Sequence, residues 1–347
     1  MKPIFFKPFV ATLLITIALV AAWELYLRHQ GYLISFNEDE SLWAAQRAQV
    51  YEPRSTTTVF VGPSRIKFDL DIETWEQLTH EKVVQLALQG SNPRPFLVDL
   101  ANDENFKGKV IFDVTESSIF NNIPQRFVSV RKRIEYFHDQ TPAQKASFLL
   151  NQQLESRFVF LEENAFSSKA LLKRLGVRNR PGVIGDLPFP VEFNTITARR
   201  ETNLTPRFVA DTALQTRVKN IWKMVGLLSK RRGPGGDTLA GIFQEIKTAV
   251  DKIRARGGEV LFVRTPSSGP VWEAEQILYP RSLYWDKLLS YTNSDGVHFA
   301  DYPQMRNFIC PEWSHLKPSD GTLFTKQLVD VLQREKNWFA NSTVSNR

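Results

Sequence analysis

Thr57-Thr58-Val59-Phe60-Val61-Gly62-Pro63-Ser64 decides the fold. Five β-branched or aromatic residues in a row form a strand that buries both of its faces, and Gly-Pro ends it in a tight turn. Working outward, 72–79 has helical spacing and 83–88 (Val-Val-Gln-Leu-Ala-Leu) is a second apolar strand stopping before Gly90. Residues 94–102 are again helical, and Lys109-Val110-Ile111-Phe112-Asp113-Val114 is a third strand. Strand, helix, strand, helix, strand over some sixty residues predicts a parallel sheet with crossover helices.

The same rhythm returns near the C-terminus. A helix over 238–256 is closed by Gly257-Gly258, and Glu259-Val260-Leu261-Phe262-Val263 is a fourth strand. Gly296-Val297-His298-Phe299 gives a short fifth strand. Leu323, Phe324, Leu328, Val331 and Leu332 form the apolar stripe of a last helix over 321–335. The fold class expected is a three-layer α/β/α arrangement, flavodoxin-like, with a central mostly parallel sheet. It divides as 57–120 and 236–337, with a polar tail over 338–347.

Between those halves, 121–235 breaks the alternation and reads as a helical insertion with loops, turning at Pro181, Pro188, Pro190 and Gly233-Pro234-Gly235-Gly236. It carries 20 Lys+Arg against 9 Asp+Glu, whereas the whole chain has a net charge of only +7, so the remainder is acidic. Runs such as Arg131-Lys132-Arg133, Lys173-Arg174, Arg199-Arg200 and Lys230-Arg231-Arg232 either form an ordinary solvated face or attract a polyanion, anionic lipid or acidic partner. No nucleic-acid recognition motif accompanies them.

At the N-terminus, Lys2 and Lys7 precede an uncharged stretch of 16 residues, Pro8 to Trp23, followed by Glu24-Leu25-Tyr26-Leu27-Arg28. A spanning helix needs about 20 residues, which snorkelling of the flanking charges supplies over 8–27. Trp23 and Tyr26 sit where interfacial aromatics belong, and the leading lysines put the N-terminus inside. The segment over 1–29 is therefore read as a transmembrane anchor in the bilayer, with a cleaved signal peptide ending at Val20-Ala21-Ala22 as the competing reading. A linker with one helix (40–49) fills 30–56. In a bacterial cell, either reading places the rest beyond the inner membrane, in the periplasm. A single cysteine, Cys310, excludes a disulfide framework; it is either a packed side chain or a reactive thiol. No His-Glu-x-x-His helix, cysteine pair, acidic calcium loop or glycine-rich phosphate loop is present, so neither metal nor nucleotide cofactor is expected.

Ligands of an open parallel sheet gather outside the carboxyl ends of its strands. Ser64 follows the first strand, Gly90 the second, and Thr115 to Ser118 the third; His315 lies just before the last helix, in Glu312-Trp313-Ser314-His315-Leu316. A serine hydroxyl needs an adjacent base to act as a nucleophile at neutral pH, and histidine suits that task. Glu312 is placed to orient the imidazole. Asp295-Gly296-Val297-His298 offers the same acid-x-x-His spacing but no capped helix follows it. Arg65 and Arg264, at strand ends, are candidates for an anionic substrate group or for salt-bridged support.

With its Gly-x-Ser turn, its glycine after the second strand and its acid-x-x-His-Leu before the last helix, the chain resembles the SGNH (GDSL-like) hydrolase superfamily. The resemblance covers roughly 57–120 and 238–335, and looks most like the membrane-anchored relatives of the alginate O-acetylation type. It implies Ser64 as nucleophile, His315 as base, Glu312 where the family usually has Asp, and backbone amides of Ser64 and Gly90 facing an oxyanion. The activity implied is that of a serine esterase or O-acyltransferase. The expected substrate is an acylated or acceptor glycan of the cell surface, with an integral-membrane partner as acyl donor. The family's asparagine after the third strand is missing; Thr115, Ser117 or Asn121 would have to stand in, or the oxyanion hole lacks one donor. That departure leaves open a catalytically silent scaffold binding polysaccharide or envelope-assembly partners.

Overall fold

A computed structural model describes residues 6–51, 56–175, 189–228 and 233–339. Five parallel strands form the central sheet: β1 (Thr57–Val61), β2 (Lys82–Gln85), β3 (Lys109–Asp113), β6 (Glu259–Arg264) and β7 (Gly296–His298), in the order β2-β1-β3-β6-β7. Two short strands, β4 (Asn194–Ile196) and β5 (Thr202–Leu204), pair antiparallel as a separate hairpin. The order of the main sheet is the doubly wound one, whose direction of winding reverses between β1 and β3.

Side-chain alternation assigns each strand residue to a layer. Val59, Val61, Val110, Phe112, Val260 and Phe262 face one core, shared with the helices Arg94–Asn102 and Gly236–Ala255. Phe60, Ile111, Leu261 and Val263 face the other, shared with Ile72–Thr79 and Pro318–Glu335. Both faces are covered, as a parallel sheet requires. The chain packs tightly on itself just past β1: a Cβ on Gly62 would lie 2.7 Å from Cβ of Asp113 and from Cγ2 of Ile66. Only glycine fits there, which fixes the turn that presents Ser64.

Several boundaries differ from expectation. Leu86 and Leu88 lie past the end of β2, yet their amides still donate to Phe60 O (2.8 Å) and Gly62 O (3.0 Å) of the β1 segment. The side-chain oxygen of Gln85 takes the intervening Ala87 amide, so the ladder is interrupted, not ended. Ser64 opens a helix, Ser64–Asp69, that the sequence reading treated as a turn. Residues 338 and 339 are not tail: Trp338 is buried, Phe339 packs on Trp75, and Lys109 lies over both rings. Residues 340–347, together with Lys230-Arg231-Arg232, Pro181 and Pro188, lie outside the described residues.

The 121–235 segment is not purely helical. It contains the β4–β5 hairpin, and its first long helix, Gln125–Asp139, packs against Glu40–Arg47 and Arg94–Asn102 as part of a core layer. Part of its basic surplus points inward. Arg133 and Arg200 are buried around Glu38, and Arg199 pairs with Glu76. Arg200 also donates to the carbonyls of Gln85 and Ala87, pinning the hairpin turn to the carboxyl end of β2. Burial alone would raise the Glu38 carboxyl, but Arg200, Lys67 and Arg133 outweigh it and hold it at about 2.

Among the described residues one helix, Phe6–His29, is long and apolar enough to cross a membrane. Nearly all of its side chains are exposed until Glu24 and Leu27, which are buried against the folded domain.

Candidate active site

The helix Ser64–Asp69 and the loop 310–316 meet at the carboxyl rim of the sheet. Three hydrogen bonds join them. His315 Nε2 lies 2.8 Å from Ser64 Oγ, Arg65 Nε donates to Ser314 Oγ (3.3 Å), and the Leu316 amide donates to Asp69 Oδ1 (2.9 Å). Residues separated by about 250 positions are thus held in register at both ends of a short helix.

The loop's own geometry orients the ring. Glu312 folds back so that Oε1 accepts from the His315 amide (2.6 Å) and lies 2.8 Å from His315 Nδ1. Trp313, between them, takes a left-handed φ of 77°, a conformation a bulky residue adopts only where its surroundings impose it. The imposition is visible: Ser268 N donates to Trp313 O (3.0 Å), and a Cβ on Gly269 would meet the Trp313 ring at 3.1 Å. A carboxylate facing Nδ1 favours the tautomer with the proton there, leaving Nε2 free to accept the Ser64 hydroxyl. Glu312 and His315 are buried, Ser64 half-buried.

Sequence reasoning missed what holds the other side of this triplet. Trp222, on the helix Thr212–Leu228, donates its indole N–H to Glu312 Oε2. Lys219 and Lys223 of the same helix lie over the Trp313 ring at 5.6 and 5.5 Å. Phe68 stacks on the His315 ring at 4.2 Å, and Phe193 approaches it edge-on at 6.1 Å. None of these residues belongs to a spaced motif; for Phe193 and Trp222 the only signal was the aromatic content of a segment without alternation.

Ser64 and His315 open into a cavity of about 520 Å³. Gly90 lines it with φ of 66°, and its N–H has no hydrogen-bond partner among the described residues. Gln89 lines it too, another amide the motif reading passed over. The remaining wall is largely supplied by Phe166, Phe189, Val191, Phe193 and Trp222 from the 121–235 segment, and by residues 31–33 beyond the membrane-type helix.

Other candidate residues are placed elsewhere. Arg65 and Arg264 are buried, and their guanidinium groups converge on Glu275, with Arg264 also bonded to Glu116. They are structural ion pairs and do not line the cavity. Burial would raise the Glu275 carboxyl, but the two arginines bring it to about 2. Thr115 donates its hydroxyl to Asp113 Oδ2 (2.8 Å), and the Asn121 amide is bonded to the carbonyls of Ser117 and Ser118. Neither side chain reaches the cavity. His298 sits among Trp272, Trp285 and Phe299, its Nδ1 accepting from the Ala300 amide (3.1 Å). Burial, with Arg264 nearby, lowers it to about 3, so it stays neutral and structural. Cys310 is buried, and burial, with Asp69 and Glu312 nearby, pushes its thiol well above the ordinary range, opposite to a reactive thiolate. Among the described residues no group of three His, Cys, Asp or Glu side chains is arranged to hold a metal ion.

Compared with family models and with curated proteins, the chain matches none of them.

Proposed function

We propose that this protein is a membrane-anchored serine acyl-transfer enzyme of the SGNH type, working through an acyl-Ser64 intermediate. The observation that carries the reading is the hydrogen-bonded series Ser64 Oγ, His315 Nε2, His315 Nδ1, Glu312 Oε1 at the rim of a cavity. Ser64 Oγ attacks the ester carbonyl as His315 takes its proton; the proton then passes to the departing oxygen, and Ser64 is left acylated. The amides of Ser64 and Gly90 face the developing oxyanion, donors worth about 3 kcal/mol each. Water completes an esterase cycle; a hydroxyl of a cell-surface polysaccharide completes an O-acyl transfer, acetyl being the group the family resemblance favours. For transfer, an integral-membrane partner supplies the acyl group. The anchor Phe6–His29 holds the domain on the periplasmic face of a bacterial inner membrane.

Labelling with a fluorophosphonate probe tests this. Wild type is expected to label and Ser64→Ala is not. Folded wild type that never labels removes the covalent mechanism and leaves a polysaccharide- or partner-binding scaffold. Supplying an acetyl donor with and without acceptor glycan separates the two enzymatic outcomes: an acetylated glycan marks a transferase, and acetate release indifferent to acceptor marks an esterase.

A further inference from the structure

The cavity is larger and more apolar than an acetyl group requires, and its position relative to the anchor is specific. Its lining includes Gly31, Tyr32 and Leu33, the residues just beyond the end of the helix Phe6–His29. That helix is fixed to the domain rather than tethered: both oxygens of Glu24 accept backbone amides, from Val159 (3.1 Å) and Phe160 (3.2 Å), and Arg28 donates to Arg157 O (2.6 Å). Leu27 is buried with Val159 and Phe166, and Phe166 itself lines the cavity. Beside this joint, the helices Pro142–Glu155 and Ser168–Lys173 expose Leu149, Leu150, Leu154, Leu171 and Leu172, with Lys145 and Lys169 also exposed. Exposed leucines with lysines next to a spanning helix suit the headgroup boundary of a bilayer. Of the carboxylates and guanidinium at the cavity, Glu38 is matched by Arg200 and Lys67, and Arg207 by Glu192 at 3.6 Å, while Glu162 accepts the Asn164 amide (3.2 Å) and burial pushes its carboxyl upward, toward the neutral form.

We propose that the Ser64 cavity takes the aliphatic acyl chain of an amphiphile arriving from the bilayer, so that the group carried on Ser64 is a medium- or long-chain acyl group rather than acetyl. This rests on the acyl-Ser64 reading. In the step, the lipid ester bond breaks as the Ser64 ester forms, the Ser64 proton leaves with the alcohol through His315, and hydrolysis or an acceptor hydroxyl releases the chain. No oxidant or metal enters the balance. The segment 121–235 then acts as the chain-binding wall.

The test uses the full-length protein in lipid nanodiscs with p-nitrophenyl acetate, butyrate and octanoate. Burying each further methylene is worth roughly three- to fourfold, so the six added from acetate to octanoate raise kcat/KM on the order of a thousandfold. Val191→Trp, which fills the cavity wall, lowers the octanoate-to-acetate ratio at least about tenfold. A second arm, independent of turnover, uses Ser64→Ala in nanodiscs containing a phosphatidylcholine with a diazirine in its acyl chain. Crosslinks on the peptides bearing Val191 and Phe193 support the site and its bilayer source; crosslinks confined to Phe6–His29 overturn it. Octanoate no better than acetate also overturns it. If Ser64 still labels with fluorophosphonate in that case, the acyl-enzyme reading survives and only the chain assignment fails; absent labelling with cavity crosslinks does the reverse.

Discussion

Strands β1, β3 and β6 carry continuous apolar runs buried on both faces, whereas the 121–235 segment mixes exposed leucines, buried arginines and aromatics without a fixed period. In the sheet, a residue's place follows from its immediate neighbours, because period-two alternation assigns it to a layer. In the segment, it follows from distant partners: Arg200 from Glu38, Trp222 from Glu312, Phe193 from Phe68. The Ser64, His315 and Glu312 contacts sit at the carboxyl rim of the sheet, and the segment supplies much of the aromatic wall beside them.

Substitutions on each side of that division differ in size and kind of effect. On the sheet side, His315→Ala is expected to lower kcat by roughly 10⁴- to 10⁶-fold with the fold intact by circular dichroism. Glu312→Gln keeps the shape but loses the charge facing the imidazole, and about 10³- to 10⁴-fold is expected in ester hydrolysis. On the segment side, Trp222→Phe removes the N–H given to Glu312 together with part of the ring that lines the cavity and packs on Phe189. A hydrogen bond to a charged group is worth about 1.5–3 kcal/mol, so kcat should fall by at most roughly ten- to a hundredfold, with a matching drop in Tm. A full Glu312→Gln-sized loss from Trp222→Phe would show that the two regions are not separable.

Two further changes are read out through stability. Gly62→Ala forces a methyl into 2.7 Å contacts with Asp113 and Ile66, and about 1–3 kcal/mol of overpacking is expected in denaturant titration. His298 gives the effect most specific to pH. Unfolded, it takes up a proton near 6.5; folded, it resists until about pH 3. The folded state therefore binds fewer protons in that window, so the stabilisation is present above about 6.5 and lost as pH falls toward 3. His298→Asn, which keeps an acceptor for the Ala300 amide, should flatten the decline of Tm between pH 7 and 4.

The division also explains what could be read from the chain alone. The parallel sheet, its flanking helices and the apolar N-terminal helix were legible because each rests on local periodicity. Ser64, Gly90 and His315 were legible because they stand at strand ends and before the last helix, and the structure brings all three to one cavity. For Arg65 and Arg264 the chain alone left substrate contact and salt-bridged support open, because a strand-end arginine looks the same whether it faces solvent or a buried Glu275 more than two hundred or eleven residues away; the structure shows the support. Thr115 failed for a closer reason: Asp113, two residues back, holds its hydroxyl. The helix opening at Ser64 escaped notice because its six residues have no side-chain cap. The cavity wall was not legible at all, since aromatic residues such as Phe189 and Trp222 acquire a role only when the chain closes over the site.

Whether the hydroxyl beside His315 becomes covalently acylated is open to direct measurement. The full-length protein, mixed with a p-nitrophenyl ester and quenched in acid within the first turnovers, can be digested and its peptides weighed. The account predicts that the peptide bearing Ser64 gains the mass of the acyl group, and that Ser64→Ala gains none anywhere. Ester cleavage proceeding with that peptide unmodified, or with the acyl group on another residue, would contradict it.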